Sequence, residues 1–265
     1  MVFVAIETSS ANASIALLEN EQLLAAIDFT EKFTVGAQIL TQLDELFSVA
    51  ATNVSELTGI AVSVGPGAYT GIRLGVTAAK TLAFARRVPV VGVESLRVMA
   101  AGLVQADPTL LGASVGETVM VATILDGRQS FLYGALYEIT LDQDPEAPLR
   151  ERVRQILPQS VDDGAALWRA WAQKLRSEAP ERPMIAIGSG ADLCLELVHA
   201  GESLSNVRLV RGPTALDWPQ ARVLGLLASS DLAVASWDAE TVHRTEPLYL
   251  RATEAERKAM EAAES

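Results

Sequence analysis

The chain has 265 residues, 49% of them hydrophobic and 20% charged, so it can bury a sizeable core and is neither disordered nor fibrous. That length fits one large domain or two lobes of about 100–150 residues each. The net charge of −12 opposes direct binding to a phosphate backbone, because nucleic-acid affinity comes largely from Lys and Arg neutralising phosphates.

A single cysteine, Cys194, excludes an intramolecular disulfide and a cysteine-based zinc cluster. Its apolar neighbours in ADLCLELV predict a buried core thiol. The opening MVFVAIETSS lacks the basic stretch and long apolar run of a secretory signal. No segment approaches the ~20 uninterrupted apolar residues of a membrane span. The longest candidate, 221–237, carries Arg222 and Asp231 and reads as a soluble helix. A cytoplasmic protein is the expectation.

Residues 2–6, 14–18 and 23–29 are short apolar, β-rich runs joined by polar turns, the pattern of an antiparallel meander. From residue 35 the period changes. Val35, Ile39, Leu43, Leu46, Phe47 and Ala50 fall at helical spacing, with a second apolar edge at Leu40. A compact strand over 57–64 ends at Gly65-Pro66-Gly67. Thr70 is placed to cap a helix that runs to Arg86 or Arg87, whose charges suit the negative end of the helix dipole. Residues 89–93 supply one more strand.

That order is the pattern of one lobe of the actin-like ATPase (ribonuclease H-like) architecture, an α/β fold of two lobes, each a mixed sheet with helices. The second half follows it loosely. Residues 119–125 and 131–138 read as a hairpin around Asp126-Gly127. Helices are expected over 166–176 and 191–200 and a strand over 184–187, with charged, proline-bearing loops at 142–148 and 177–183. The expected organisation is a first lobe over 1–103 and a smaller second lobe over 104–217. A helix over 221–237 returns to the first lobe, and the tail 252–265 is frayed or disordered.

The stretch 65–75, GPGAYTGIRLG, lies between a strand and a helix. Gly65 and Gly67 permit backbone angles that a Cβ forbids, and Pro66 stiffens the turn. Beyond them Gly71, Gly75, Ala79 and Ala83 recur every four residues, a ridge of small side chains that another backbone can approach closely. Each glycine inside a helix costs about 1 kcal/mol relative to alanine, and close packing is the usual offset. The spacing leaves open whether the neighbour belongs to this chain or to another.

Six segments in chain order resemble the motifs of the TsaB family. They are ETSS at 7–10, GPGAYTGIRLGVTAAKTLA at 65–83, PVVGVESL at 89–96, Asp126-Gly127-Arg128, IGSGA at 187–191 and PLYLR at 247–251. The resemblance implies a non-catalytic subunit that binds and activates the TsaD transferase in threonylcarbamoylation of adenosine 37 of tRNA. It further implies a partner interface on helices 35–50 and 70–86, through Gly36, Leu40, Leu43, Gly71, Arg73, Gly75, Ala79 and Ala83. A TsaE-like ATPase completes the complex, tRNA is met only through the partner, and a homodimer can form on the same helices when the partner is absent. ATP and metal are expected on the partner subunits, with no cofactor of this chain's own.

The residues also bear on the branch. The catalytic TsaD branch holds a metal with two histidines four residues apart on a helix. The corresponding stretch here, VESLRVM at 93–99, has none, and His199 and His243 stand far apart. No Ser-His-Asp or Cys-His set can be nominated. Actin-like ATPases cradle phosphate with a glycine-bearing Asp-x-Gly-Thr hairpin. Glu7-Thr8-Ser9-Ser10 has no glycine there, and Glu7 stands where the family has aspartate. Thr8, Ser9, Arg128, Gly188 and Gly190 are the residues placed to approach a nucleotide. The rival reading is an autonomous actin-like ATPase or a small-molecule kinase. Phe33 stands where the family has a histidine and is expected to make an apolar contact at the helix entry.

Overall fold

The computed structural model describes residues 1–29, 35–106, 111, 114, 116–128, 130–141, 147–178, 183–200 and 209–251, with 35–37, 174–178 and 199–200 described as backbone. The expectations for Phe33, for the tail 252–265 and for most of the loop 142–148 lie outside the described residues. Strand β1 (Val2–Glu7) is apolar up to its last residue and buried on both faces, which makes it the centre of its sheet. It pairs antiparallel with β2 (Ala13–Glu19), which pairs antiparallel with β3 (Gln22–Phe29). On its other side β1 pairs parallel with β4 (Gly59–Gly65), and β4 with β5 (Val90–Glu94). Parallel pairs need long crossovers, and α1 (Val35–Val49) and α2 (Tyr69–Arg86) lie in them. The sheet order is β3-β2-β1-β4-β5.

The second sheet repeats this path. β6 (Thr118–Asp126), β7 (Phe131–Thr140) and β8 (Val153–Asp163) form an antiparallel meander. β9 (Met184–Ile187) and β10 (Leu209–Arg211) add in parallel on the far side of β6, after α4 (Gly164–Glu178) and α5 (Ala191–Ala200). The order β10-β9-β6-β7-β8 is the first sheet's order over again. Two copies of one five-strand topology make this the two-lobed actin-like fold.

Apolar periodicity then decides the layers. α1 and α2 cover one face of the first sheet, with Ile39, Leu43, Leu46, Ile72 and Val76 against Val4, Ile6 and Leu17. α4 and α5 cover one face of the second, where Trp168, Trp171 and Cys194 meet Ala122, Ile124 and Leu132. α3 (Ser95–Val104) and α6 (Ala221–Val234) are apolar nearly all round, as helices enclosed on several sides must be. Their Leu96, Met99, Leu224 and Leu227 share one core with Phe3 and Ala5 of the first sheet and with Val121, Tyr137 and Ile139 of the second. α6 packs on β1, β2, β4 and β5, while α3 packs on β6 and β7.

Three local expectations change. Thr70 does not cap α2. The cap is Ala68, which makes no side-chain hydrogen bond, and its own amide is held by the Ser9 carbonyl at 2.6 Å. A tertiary contact replaces the cap. Helix α6 ends at Val234 rather than at 237, with Ala235 extended. Strand β8 is absent from the sequence reading because Pro158 interrupts it and many of its residues are exposed. It is an edge strand whose register slips beside Pro158, opposite Ala135, where a missing N–H does no harm.

Candidate partner-docking face

The two sides of α2 do different work. Gly71, Gly75, Ala79 and Ala83 face inward. A Cβ on Gly71 would stand 2.0 Å from the Thr8 carbonyl oxygen, and one on Gly75 would stand 2.2 Å from Thr8 Oγ1. Ala79 and Ala83 are fully buried in the core beneath the helix. The backbone that approaches the small-residue ridge is therefore the turn after β1, within the same lobe. Thr8 Oγ1 donates to the Gly71 carbonyl at 2.8 Å and closes the contact. Gly75, Ala79 and Ala83 are buried within the lobe, which corrects their expected place on a partner-facing surface, while Gly71 is half-buried over Thr8.

That turn is held shut from below. Glu7 is fully buried, and its Oε1 accepts hydrogen bonds from the Ser9 amide at 2.6 Å and from Ser9 Oγ at 2.5 Å. Its Oε2 has no hydrogen-bond partner among the described residues. Burial pushes the Glu7 pKa up, and the bonds from Ser9, with a weaker pull from the nearby Ser63 hydroxyl, only partly oppose that. Nearby, Ser63 Oγ and Ser95 Oγ lie 2.6 Å apart and join β4 to the start of α3. Thr8 and Ser9 are each 1% exposed, so the turn offers neither its Ser9 amide nor their hydroxyls to a phosphate.

The glycine turn of the second lobe is occupied in the same manner. The Gly188 amide donates to Asp217 Oδ1 at 2.8 Å, and a Cβ there would stand 2.0 Å from the Ile124 carbonyl oxygen. Arg211 grips Asp217 with two bonds of 2.9 and 2.5 Å, and that carboxylate raises the arginine's pKa. Gly190 is packed against Leu132 and Ile124, and its amide donates to the Ile124 carbonyl. Arg128 sits exposed at the β6–β7 turn with φ 64°, its amide on Asp126 Oδ1. Of the residues placed to approach a nucleotide, Arg128 alone is exposed. In each lobe a carboxylate of this chain holds a backbone amide of the turn, Glu7 that of Ser9 and Asp217 that of Gly188.

The opposite side of α2 is open. Tyr69, Arg73, Thr77 and Thr81 run two residues out of phase with the inward ridge, about 200° round the helix, and all are exposed. Phe84 continues the face and meets Trp237 edge-on at 5.4 Å. On α1, Leu40 is 66% exposed whereas Leu43 is 6% exposed and belongs to the core, which corrects its expected place in an interface. Gly36 lies in the first turn of α1.

The C-terminal segment completes the face. The Leu248 amide donates to the Val64 carbonyl at 2.7 Å and lays 245–251 along the end of β4. Tyr249 then stacks on Tyr69, ring centres 5.0 Å apart. Arg73 Nη1 donates to the Tyr69 hydroxyl at 2.7 Å, and Lys80 Nζ donates to the His243 carbonyl at 2.6 Å. Tyr69, Tyr249, Arg73 and Lys80, together with Val76, Thr77, Glu246 and Pro247, line a groove of about 390 Å³. The GPGAYTGIRLG and PLYLR segments, 172 residues apart at Gly75 and Pro247, share one surface.

The family of tRNA N6-adenosine threonylcarbamoyltransferases, TsaD, matches residues 36–259. The tRNA threonylcarbamoyladenosine biosynthesis protein TsaB of Bacillus subtilis is 27% identical over 261 residues, 98% of this chain and 99% of that one. TsaB of Escherichia coli is 28% identical over 64% of this chain and 74% of its own length. Among solved structures, YeaZ from Pseudomonas aeruginosa superposes with a TM-score of 0.67 at 22% identity, covering 94% of this chain and 99% of that one. The chain belongs to the TsaB (YeaZ) family.

Beyond that chain-wide family match, the pairwise likeness of this TsaB-family chain to a transferase spans a short stretch. A transferase of Anoxybacillus flavithermus is 46% identical over 59 residues, 22% of this chain and 17% of its own. Among the described residues no group of three His, Cys, Asp or Glu side chains could hold a metal ion. No described helix is long and apolar enough to cross a membrane. Sequence reasoning missed Tyr69, Phe84, Trp237 and Tyr249. Its signal was available for two of them, since Tyr69 lies four residues before Arg73 and Tyr249 lies inside PLYLR.

Proposed function

We propose that the chain is a non-catalytic subunit of the tRNA threonylcarbamoyladenosine machinery that binds and activates a TsaD-like transferase through the outer face of α1 and α2. The observation that carries this reading is the division of α2. Its small-residue ridge is spent inside the lobe, while its other side presents Tyr69, Arg73 and Phe84, with Leu40 exposed on the neighbouring α1. Exposed aromatic and apolar side chains gathered beside a groove are the composition of interface cores. The family's relatives are named as biosynthesis proteins of this modification, and part of the chain resembles the transferase itself. Two similar first lobes can pair face to face, and the same geometry would let the chain pair with itself when the transferase is absent.

ATP, metal and tRNA belong on this reading to the partners, a TsaD-like transferase and a TsaE-like ATPase, in the cytoplasm. The net charge of −12 opposes direct contact with tRNA. The turns after β1 and β9, whose amides are already held by Glu7 and Asp217, do not suit a phosphate. The test is co-expression with the TsaD-like protein of the same organism. A complex at micromolar concentration and a rise in threonylcarbamoyl transfer to tRNA are expected. Absence of both would overturn the reading. Calorimetry with ATP and magnesium addresses the rival, because submicromolar binding by the isolated chain would favour an autonomous ATPase.

A further inference from the structure

We propose that the groove between α2 and the C-terminal segment receives an acidic side chain of the partner transferase, and that Arg73 and Lys80 are the residues that select it. The inference rests on the docking role proposed above and names the chemistry of the contact.

Charge is the first observation. The chain carries 33 acidic and 21 basic residues, so its cations have carboxylates at hand. Arg150, Arg154, Arg211 and Arg244 each hold one. Arg73 and Lys80, like Arg86, Arg97 and Arg222, hold none among the described residues; what sets these two apart is that they share one groove. Their hydrogen bonds go to a tyrosine hydroxyl and a backbone carbonyl. Both line the same groove with Glu246 as its one acid, so the groove is net positive on a chain of net charge −12.

Geometry is the second. The Arg73 guanidinium is held by the Tyr69 hydroxyl through Nη1 and lies 5.3 Å from the Tyr69 ring centre. That leaves its Nε–Nη2 edge to accept a carboxylate in two parallel bonds, the arrangement a planar guanidinium favours. The stacked rings of Tyr69 and Tyr249 form one wall of the groove. Lys80 stands about two helical turns along the same helix and supplies a second, less directional charge. An apolar partner would leave both cations desolvated and unpaired, and a basic one would be repelled. An aspartate or glutamate satisfies them.

The experiment measures binding of the intact chain to the same organism's TsaD-like transferase at low and high salt. Arg73→Glu, Lys80→Glu, Arg73→Gln and Leu40→Asp are compared with the unaltered protein. The melting temperature of each variant confirms that it is folded. The expected result is that the unaltered chain binds more weakly as salt rises. Arg73→Glu and Lys80→Glu should each bind at least about tenfold more weakly at low salt, with a flatter salt dependence, and Arg73→Gln should fall between. Carbodiimide coupling in the complex should join Lys80 to an Asp or Glu of the transferase. If the charge variants bind as the unaltered chain does while Leu40→Asp does not, the acidic contact is wrong and the docking role stands. If the charge variants change only self-association, the occupant is a second copy and the inference fails. If the unaltered chain does not bind the transferase at all, both readings fall.

Discussion

Thr8 Oγ1 donates a 2.8 Å hydrogen bond to the Gly71 carbonyl and stands 2.2 Å from where a Cβ on Gly75 would be. One residue thus explains two helical glycines, its carbonyl oxygen excluding a Cβ at position 71 and its hydroxyl one at position 75, and each glycine costs about 1 kcal/mol of helix propensity.

Alanine at Gly71 should accordingly destabilise the protein. Its Cβ would meet the Thr8 carbonyl oxygen at 2.0 Å, a backbone atom that cannot swing aside. A loss of about 2–3 kcal/mol is expected from overpacking, despite the gain in propensity. Gly102 in α3 is the control, since its nearest neighbour is a Leu216 methyl at 3.6 Å. Gly102→Ala should be neutral or stabilising by up to ~1 kcal/mol in urea denaturation.

Glu7 should make stability depend on pH. Its folded pKa lies above 4.5, so the native state holds its proton where the unfolded chain has lost it. Stability from this group is present at low pH and falls as pH rises through the folded value. Glu7→Gln keeps an acceptor for Ser9 and cannot ionise. It should stabilise the protein at pH 7 by on the order of 1 kcal/mol or more, with the gain shrinking toward pH 4.5. Melting temperatures of both proteins across that range give the comparison, and a constant difference would refute the assignment.

Arg211→Ala removes the fork that neutralises Asp217, which is 9% exposed and holds the Gly188 amide. Leaving that carboxylate unpaired should cost about 2 kcal/mol, less than for a fully buried pair. Lys at the same position should recover part of it, having charge but no fork. Denaturant midpoints decide the order of the three proteins.

Leu40→Asp should leave folding stability within ~0.5 kcal/mol, because the side chain is 66% exposed. On the proposed docking face it should weaken the complex with the transferase by at least about tenfold, measured by sedimentation or calorimetry.

Cys194 should be silent toward thiol reagents in the native protein. It is fully buried, and burial pushes its pKa up to about 11. Its modification rate should therefore follow unfolding, rising with urea through the denaturation midpoint. Rapid labelling in buffer would contradict the buried position.

Periodicity and turn chemistry sufficed for the repeating frame. The β1–β3 meander, α1, α2, the β6–β7 hairpin, β9 and α5 all carry clean apolar spacing, so each was legible before any contact was known. Edge strands were not. β8 packs only one neighbour and contains Pro158, and the three-residue β10 is too short for any period to show. The groove beside α2 was half legible. Arg73 lies in a motif that reads from sequence, whereas the pairing of Tyr69 with Tyr249 joins residues 180 positions apart.

The sequence by itself determined the family, the α/β path of the first lobe and the presence of a small-residue ridge on α2, because these depend on local spacing and residue type. Only the tertiary structure decided which way that ridge faces. A stripe of glycine and alanine permits close approach by any backbone, and it does not name the backbone that comes. Here the turn after β1, tied down by Glu7 and Thr8, fills the space first, and so the aromatic and cationic side of the same helix is the side left outward.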